Sequence, residues 1–173
     1  ALPIKPYSVQ YPIGAEGKEN LYGIFDYINN IVGSPLKAGI ITMDCGGDNQ
    51  KSLLNLVDNR TRFYWTNFST DSSGQKVYEK KNMWFTITFP YHKVRVTSYT
   101  FCCYIDFINT FAPKDWSFYG SNDGKDWKLI SEEKGVKSMN VLNPIQNFSV
   151  AKVNKCWYSS YMFRCHQNWS KKY

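Results

Sequence analysis

The sequence lacks any long hydrophobic run, and no stretch approaches the ~20 apolar residues that a membrane-spanning helix needs. Alanine is scarce, and the 2 histidines leave few side chains for acid–base catalysis. Lysine and arginine never form a run longer than a pair, although the formal net charge is +7. Such diffuse charge argues against a nucleic-acid-binding arm. It serves solubility or suits an acidic partner, such as an anionic lipid, a sulfated glycan or an acidic protein.

Aromatic residues are abundant instead, with 13 Tyr, 11 Phe and 6 Trp in 173 residues. Aromatic and β-branched side chains suit pleated sheets better than helices. Short apolar stretches separated by turn residues therefore predict an all-β sandwich. Strands are predicted at Gly39–Met43, at Met83–Phe89, at Val94–Tyr104 and, more weakly, in the last third of the chain.

The first twenty residues are rich in residues that break regular structure. They contain Pro3, Pro6, Pro12, Gly14 and Gly17. We expect residues 1–20 to form an extended Pro-rich arm and residues 21–173 to form the sandwich. The arm either binds a partner through Tyr7 and Tyr11 or is an unattached terminus.

One short amphipathic helix is predicted between the arm and the first strand. Apolar residues recur at helical spacing over Leu21–Val32, Asn20 is a suitable N-cap, and Gly33 followed by Pro35 ends the pattern. We expect this helix to pack against a sheet.

The most specific local pattern is a β-hairpin that starts at Trp116. Trp116, Phe118 and Gly120 alternate with outward-facing residues, as in a strand. Asn122-Asp-Gly124 supplies residues that accept a tight turn, and the apolar pattern resumes at Trp127.

Several segments in order resemble the discoidin family, also called the coagulation factor 5/8 C-type or galactose-binding-like domains. The matching segments are Asn55-Leu-Val-Asp58 with Tyr64-Trp65, Trp84–Phe89, Val94–Tyr99, Pro113–Trp127 and Tyr161-Met-Phe-Arg164, and the Tyr22–Tyr27 lead-in resembles a protist subset. The resemblance implies a jelly-roll β-sandwich that binds ligands and has no catalytic activity. The chain departs from the family in two ways. The strand with which family members end is missing after Arg164, which leaves a sheet edge open to a partner unless the sequence is truncated. In addition, no cysteine pair joins the two ends of the domain.

The resemblance also implies that three loops project together as ligand-binding loops, at Cys45–Ser52, Asn67–Lys81 and Ile105–Lys114. An aromatic side chain beside a cation can stack on a sugar or fill a protein pocket. Phe107 and Phe111 would alternatively pack beneath their own loop. The candidate binding residues are Asp48, Asn49, Phe68, Tyr78, Lys80, Lys81, Phe107 and Phe111.

Metal and disulfide chemistry are weakly indicated. Asp44, Asp48 and Asp58 suggest either a structural Ca²⁺ site or carboxylates that bond their own turns. No other cofactor is expected. The 5 cysteines are an odd number, so at least one thiol is free. Cys156 and Cys165 pair if the compartment is oxidising, and with His166 they are also a conceivable metal site, although structural thiols are the simpler interpretation.

Function stays open between two classes of binding protein, because no nucleophile-elbow motif points to an enzyme. The favoured hypothesis is a non-catalytic structural module that makes protein–protein contacts in an intracellular assembly, such as the cytoskeleton or a cilium. The alternative is a secreted or cell-surface module that binds glycans or lipid headgroups. The alternative predicts an oxidised Cys156–Cys165 pair and glycosylation at the sequons of Asn59, Asn67, Asn147 and Asn168.

Overall fold

The computed structural model describes residues 23–46, 50–57, 68–70, 72–78, 83–103 and 112–169, with the backbone alone for 68–70 and 76–78. One α-helix comes first, α1 (Ile24–Val32). Two short 3₁₀ helices occupy Gln50–Leu56 and Lys137–Met139. The strands are β1 (Thr42–Cys45), β2 (Phe68–Thr70), β3 (Lys76–Tyr78), β4 (Met83–Thr88), β5 (Ser98–Cys102), β6 (Pro113–Ser121), β7 (Lys128–Glu133), β8 (Ile145–Ser149) and β9 (Ser160–Asn168).

The strands form an antiparallel sandwich, which confirms the predicted all-β fold. The larger sheet has five strands in the order β1-β4-β9-β6-β7. β5 pairs with β8 in a two-stranded sheet, and β2 pairs with β3 in a separate ribbon. The β5–β8 sheet covers one face of the larger sheet, since the rings of Phe101 and Phe163 lie 4.5 Å apart and those of Trp116 and Phe148 lie 5.0 Å apart. The opposite face of the larger sheet is therefore its outer face.

Aromatic side chains fill the space between the two sheets. Trp116 is fully buried at 0% exposure, and its indole Nε1 donates a hydrogen bond to the Tyr99 hydroxyl at 2.9 Å. The Tyr99 ring in turn lies 4.9 Å from that of Phe118. Buried aromatic pairs contribute both apolar area and edge-to-face contacts. This packing holds the larger sheet rigid, so that its outer face is a fixed surface.

The helix ends where the sequence predicted, but fewer of its apolar side chains are buried than the prediction implied. It starts at Ile24, with Gly23 as its N-cap, and ends at Gly33, whose positive φ of 77° suits glycine; the predicted N-cap Asn20 and start Leu21 lie outside the described residues. Only part of the apolar stripe packs, because Ile31 and Val32 are exposed. Phe25 stacks on Phe89 with ring centroids 6.4 Å apart, and this contact attaches the helix to the end of the larger sheet.

Two strand predictions need correction. The predicted Val94–Tyr104 strand is regular only over β5, because Val94 forms an isolated bridge with Tyr158 instead of extending the pairing with β8. The strand predicted at Gly39–Met43 lies later, at β1, because Gly39 has a positive φ of 70° and belongs to a turn. No helix among the described residues is long and apolar enough to cross a membrane.

The hairpin is as predicted. β6 and β7 pair on either side of a turn in which Gly124 has a φ of 69°. β6 is also the neighbour of β9, so the hairpin joins the larger sheet through β6, and β7 forms one margin of that sheet. The turn is therefore held against the end of the sheet, next to Ser160 at the start of β9.

Candidate functional site

The outer face of the larger sheet carries a regular array of polar and aromatic side chains. Alternate residues of a strand share a face, and the strand register sets their neighbours. Three cross-strand rows result, namely Thr42, Thr88, Ser160 and Ser121; Asp44, Thr86, Met162 and Tyr119; and Trp84, Arg164 and Ser117. Hydroxyl groups, one acid, one cation and a tryptophan thus meet on one surface.

A concave groove of about 600 Å³ lies over this array. Its floor is formed by β1, β4 and β9, and the β6–β7 turn borders it through Gly124 and Trp127. The side chains that give it chemical character are Asp44, Trp84, Thr86, Trp127, Met162 and Arg164. Its volume falls in the range of small-molecule binding sites, about 300–1,000 Å³. We call it the sheet groove.

Trp84 is positioned by the absence of a side chain at Gly46. The Gly46 amide donates to the Trp84 carbonyl at 3.2 Å, so the chain after β1 runs beside Trp84. A Cβ at Gly46 would overlap Nε1 of the Trp84 indole and would lie 2.9 Å from its Cε2. The part of the indole around Nε1 therefore lies directly against Gly46. The groove gains a fixed, half-buried aromatic wall at this end.

Trp127 is positioned by a strongly hydrogen-bonded turn. The Asp123 carboxylate accepts from the amides of Lys125 at 2.9 Å and Asp126 at 2.8 Å, and these bonds lower the pKa of Asp123. The Ser121 hydroxyl accepts from the Gly124 amide at 3.0 Å. The Asn122 side chain accepts from the Ser159 amide at 3.1 Å, which fastens the turn to the segment before β9. Trp127 leaves this turn in a defined direction.

The groove floor offers many hydrogen-bonding groups. The Thr88 and Ser160 hydroxyls bond each other at 2.9 Å. Asp44 is exposed and accepts from the Gln50 side-chain amide at 2.7 Å. Arg164 lies directly across from Trp84 and supplies a planar set of donors. Aromatic faces combined with hydroxyl, carboxylate and guanidinium groups suit a polyhydroxylated ligand, which has both apolar C–H faces and hydroxyl groups.

A serine–histidine pair beside the groove is not a catalytic pair. The Ser117 hydroxyl is hydrogen-bonded to Nε2 of His166 at 2.8 Å, but Ser117 is only 1% exposed and lies in the middle of a strand. A nucleophile must be accessible to its substrate. The nearby Glu132 forms an ion pair with Lys134 at 2.9 Å, and this pair lowers the pKa of Glu132. The hydrogen bond between Ser117 and His166 therefore contributes to the packing of the outer face and not to a reaction.

Among the described residues that line the sheet groove, none was predicted from the sequence as a binding residue. Phe68 and Tyr78 are cross-strand partners in the β2–β3 ribbon, for which the backbone alone is described. The predicted residues outside the described parts of the chain are Asp48, Asn49, Lys80, Lys81, Phe107, Phe111, Tyr7 and Tyr11. The strand register does place the flanks of the three predicted loops together. β1 ends, and β4 and β6 begin, at the end of the sheet where Trp84 lies.

The Cys156–Cys165 pair, which the sequence left conditional on an oxidising compartment, is not formed in the structure. All 5 cysteines are free, with Cys156 exposed and Cys165 buried. Cys165 packs in the hydrophobic core between the two sheets, in a cluster that includes Trp116 and Phe163. His166 points to the outer face, opposite to Cys165.

The calcium prediction is tested only at Asp44. Asp44 lies in β1, and its carboxylate accepts from the amide of Cys45 at 2.8 Å and from the Gln50 side-chain amide at 2.7 Å. Asp48 and Asp58 lie outside the described residues. Within the described segments, no group of three or more His, Cys, Asp or Glu is arranged to hold a metal ion.

Comparisons with known proteins identify the fold. No family model matches the sequence, and no curated protein matches it. CpGH89CBM32-5 from Clostridium perfringens, solved in complex with GalNAc-β-1,3-galactose, is similar with a TM-score of 0.55 and 11% identity, over 77% of this chain and 88% of that one. The family 32 CBM of C. perfringens NanJ, solved in complex with galactose, gives 0.55 and 11%, over 75% and 85%.

The family 32 carbohydrate-binding module of Streptococcus pneumoniae EndoD gives a TM-score of 0.50 and 9% identity, over 77% of this chain and 87% of that one. Similarity at such low identity establishes the architecture and not the ligand. The jelly-roll β-sandwich that the resemblance implied is thus confirmed, and the chain has the fold of these modules.

Proposed function

We propose that this protein is a non-catalytic glycan-binding module that holds a neutral sugar in the sheet groove. The observation that carries the proposal is the placement of two half-buried tryptophans, Trp84 and Trp127, at the borders of one groove whose floor bears hydroxyl groups. A sugar ring stacks its C–H face on an indole while its hydroxyls bond the polar groups beside it.

The charges of the groove favour a neutral sugar. Asp44 and Arg164 contribute one negative and one positive group, and the other polar side chains on the floor are the hydroxyls of Thr42, Thr86, Thr88 and Ser160. A carboxylate accepts two hydroxyl hydrogen bonds and a guanidinium donates in a fixed plane, so the pair can orient a ligand without requiring it to be charged.

This proposal adopts the alternative drawn from the sequence, without the Cys156–Cys165 disulfide that the alternative predicted, since both thiols are free. The solved structures with this fold include carbohydrate-binding modules with galactose or GalNAc-β-1,3-galactose bound, whereas none of the comparisons supports a cytoskeletal or ciliary role or a protein partner. A glycan-binding role favours a secreted or cell-surface setting. The three predicted loops remain candidates for further sugar contacts, because their flanks meet the groove at the Trp84 end.

The test is titration calorimetry of the protein with galactose, N-acetylgalactosamine and GalNAc-β-1,3-galactose. Two variants remove groove contacts, Trp127→Ala and the nearly isosteric Thr86→Val. Trp157→Ala is the matched control, because Trp157 is 54% exposed and does not line the groove. We expect Trp127→Ala to weaken sugar binding at least about tenfold and Thr86→Val about two- to tenfold.

The control variant should bind within twofold of the wild type. The proposal is wrong if none of these sugars, nor any glycan on a broad array, binds the protein. It is equally wrong about the site if sugar binding persists unchanged in Trp127→Ala and Thr86→Val.

A further inference from the structure

A second surface combines exposed aromatic rings with positive charge, beyond the ends of β4 and β9. It consists of residues 90–97 and 150–158, which we call the basic strip. The two segments run side by side. Val94 and Tyr158 exchange backbone hydrogen bonds at 2.9 and 3.0 Å, and the Val150 amide donates to the Thr97 carbonyl at 2.8 Å. The Asn154 side chain donates to the Val96 carbonyl at 2.8 Å. The strip is therefore a fixed, ladder-like platform.

Four of the outward side chains of the strip are cationic. Val94 and Val96 pack against the core, so the alternating residues Lys93 and Arg95 face outward. Lys152 and Lys155 of the other segment are exposed as well. Neither segment contains an aspartate or a glutamate.

The acids of the neighbouring β6–β7 turn are already engaged. The Asp123 carboxylate bonds the amides of its own turn, and Asp126 pairs with Lys128 at 3.0 Å. The four cations of the strip therefore form a surface of one sign. Surfaces of one sign attract a ligand of the opposite charge and concentrate it at short range.

Two exposed rings accompany the cations. Tyr91 is 84% exposed and Trp157 is 54% exposed. The Arg95 guanidinium lies over the Trp157 ring, 5.9 Å from its centroid. Such stacking holds the arginine's donor edge in one orientation, which suits oxyanions that accept two parallel hydrogen bonds.

We propose that the basic strip is a second binding site, for a linear sulfated polysaccharide. Lys93 and Arg95 are two residues apart on one strand-like segment, so their Cα atoms are about 6.6 Å apart along it, and Lys152 and Lys155 lie on the adjacent segment. Cations arranged along a strip fit a chain with repeated anionic groups. A membrane surface is less suited, because the face of Trp157 is covered by Arg95 and the cations do not surround a protruding apolar tip.

The test measures binding to heparin and to chemically desulfated heparin, at rising salt concentrations. The double variant Arg95→Ala/Lys155→Ala removes one cation from each segment. Lys37→Ala/Lys51→Ala is the charge-matched control, since both lysines are exposed and lie outside the strip. We expect heparin binding that weakens as salt screens the charges, and at least about a tenfold loss in the strip variant against less than twofold in the control.

The proposal is overturned if both double variants lose binding equally, since net charge alone would then explain it. It is also overturned if desulfated heparin binds as tightly as heparin, or if single-stranded DNA or phosphatidylserine vesicles bind the strip more tightly than heparin does. The sheet groove is separate from the strip, so sugar titrations of the same variants should be unchanged. The two proposals can therefore fail independently.

Discussion

The Trp84 indole lies directly against the backbone of Gly46, at a distance that leaves no room for a methyl group. Gly46 follows β1, and Trp84 is the second residue of β4. Glycine permits a close approach that any other residue would prevent. This contact fixes the aromatic wall of the sheet groove at the end where the predicted loops begin.

Replacing Gly46 by alanine should therefore impair the groove more than the fold. The Trp84 ring has to move to relieve the overlap, so we expect about a tenfold loss in sugar affinity and a loss of free energy of unfolding of about 1 kcal/mol. Calorimetry and denaturant unfolding measure the two effects. Gly23→Ala is the matched control, because a Cβ there meets nothing within 4 Å. Unchanged sugar affinity in Gly46→Ala would contradict this account of Trp84.

The hydrogen bond between Trp116 and Tyr99 should contribute measurably to stability. Tyr99→Phe leaves the buried indole N–H without this acceptor, and we expect a loss of about 1–3 kcal/mol in the free energy of unfolding. A double-mutant cycle with Trp116→Phe isolates the pair, with an expected coupling of about 1 kcal/mol. Additive effects of the two substitutions would show that the bond contributes nothing.

The Asp123 turn predicts a particular dependence of stability on pH. Backbone amides hold the pKa of Asp123 below its ordinary value of about 3.9, so its charged form stabilises the fold. That contribution is present above the unfolded-state pKa and is lost as pH falls through the lower pKa of the folded state. Asp123→Asn should thus be less stable than the wild type at pH 7, and the difference should shrink below about pH 4.

Thermal unfolding of both proteins between pH 7 and pH 3 measures this convergence. A difference in melting temperature that stays constant over the range would contradict the role assigned to the carboxylate charge.

The thiols should react in an order set by burial. Cys102 and Cys156 are exposed, whereas Cys45 and Cys165 are buried, and burial raises the pKa of Cys165 to about 12. Because the thiolate is the reactive form, native protein at pH 8 should alkylate fastest at Cys156, more slowly at Cys102, whose pKa is also raised by burial, and slowest at Cys165. Mass spectrometry after unfolding without reductant should find all 5 thiols alkylated. If only three thiols were alkylated, the protein would contain one disulfide, which would contradict the structure.

The sequence predicted local structure well where one short segment contains the whole signal. The turn at Asn122-Asp-Gly124 is such a case, since its glycine and its carboxylate act within the turn itself. The Val94–Tyr104 strand was predicted too long, because the alternation of Val94 and Val96 results from pairing with Tyr158 and not with β8. Alternation reports which face is buried, but it does not report the partner strand.

The sheet groove was not predicted, for a related reason. The alternation of Trp84, Thr86 and Thr88 with Phe85 and Ile87 was visible in the sequence and indicated two faces. The groove, however, exists only because β4 lies between β1 and β9. That order brings together Asp44, Thr86 and Met162 from distant parts of the chain. Strand order depends on the tertiary packing of the whole sandwich, so no local pattern could reveal it.

The most direct test of glycan binding in the groove is NMR titration of the labelled protein with GalNAc-β-1,3-galactose, observing the indole N–H signals. The groove predicts saturable shifts of the Trp84 and Trp127 indole signals, while those of the buried Trp116 and of Trp157 stay in place. Each signal is assigned by its loss in the corresponding Trp→Phe variant. Saturable shifts that leave Trp84 and Trp127 unmoved would place the sugar elsewhere on the sandwich and contradict the account.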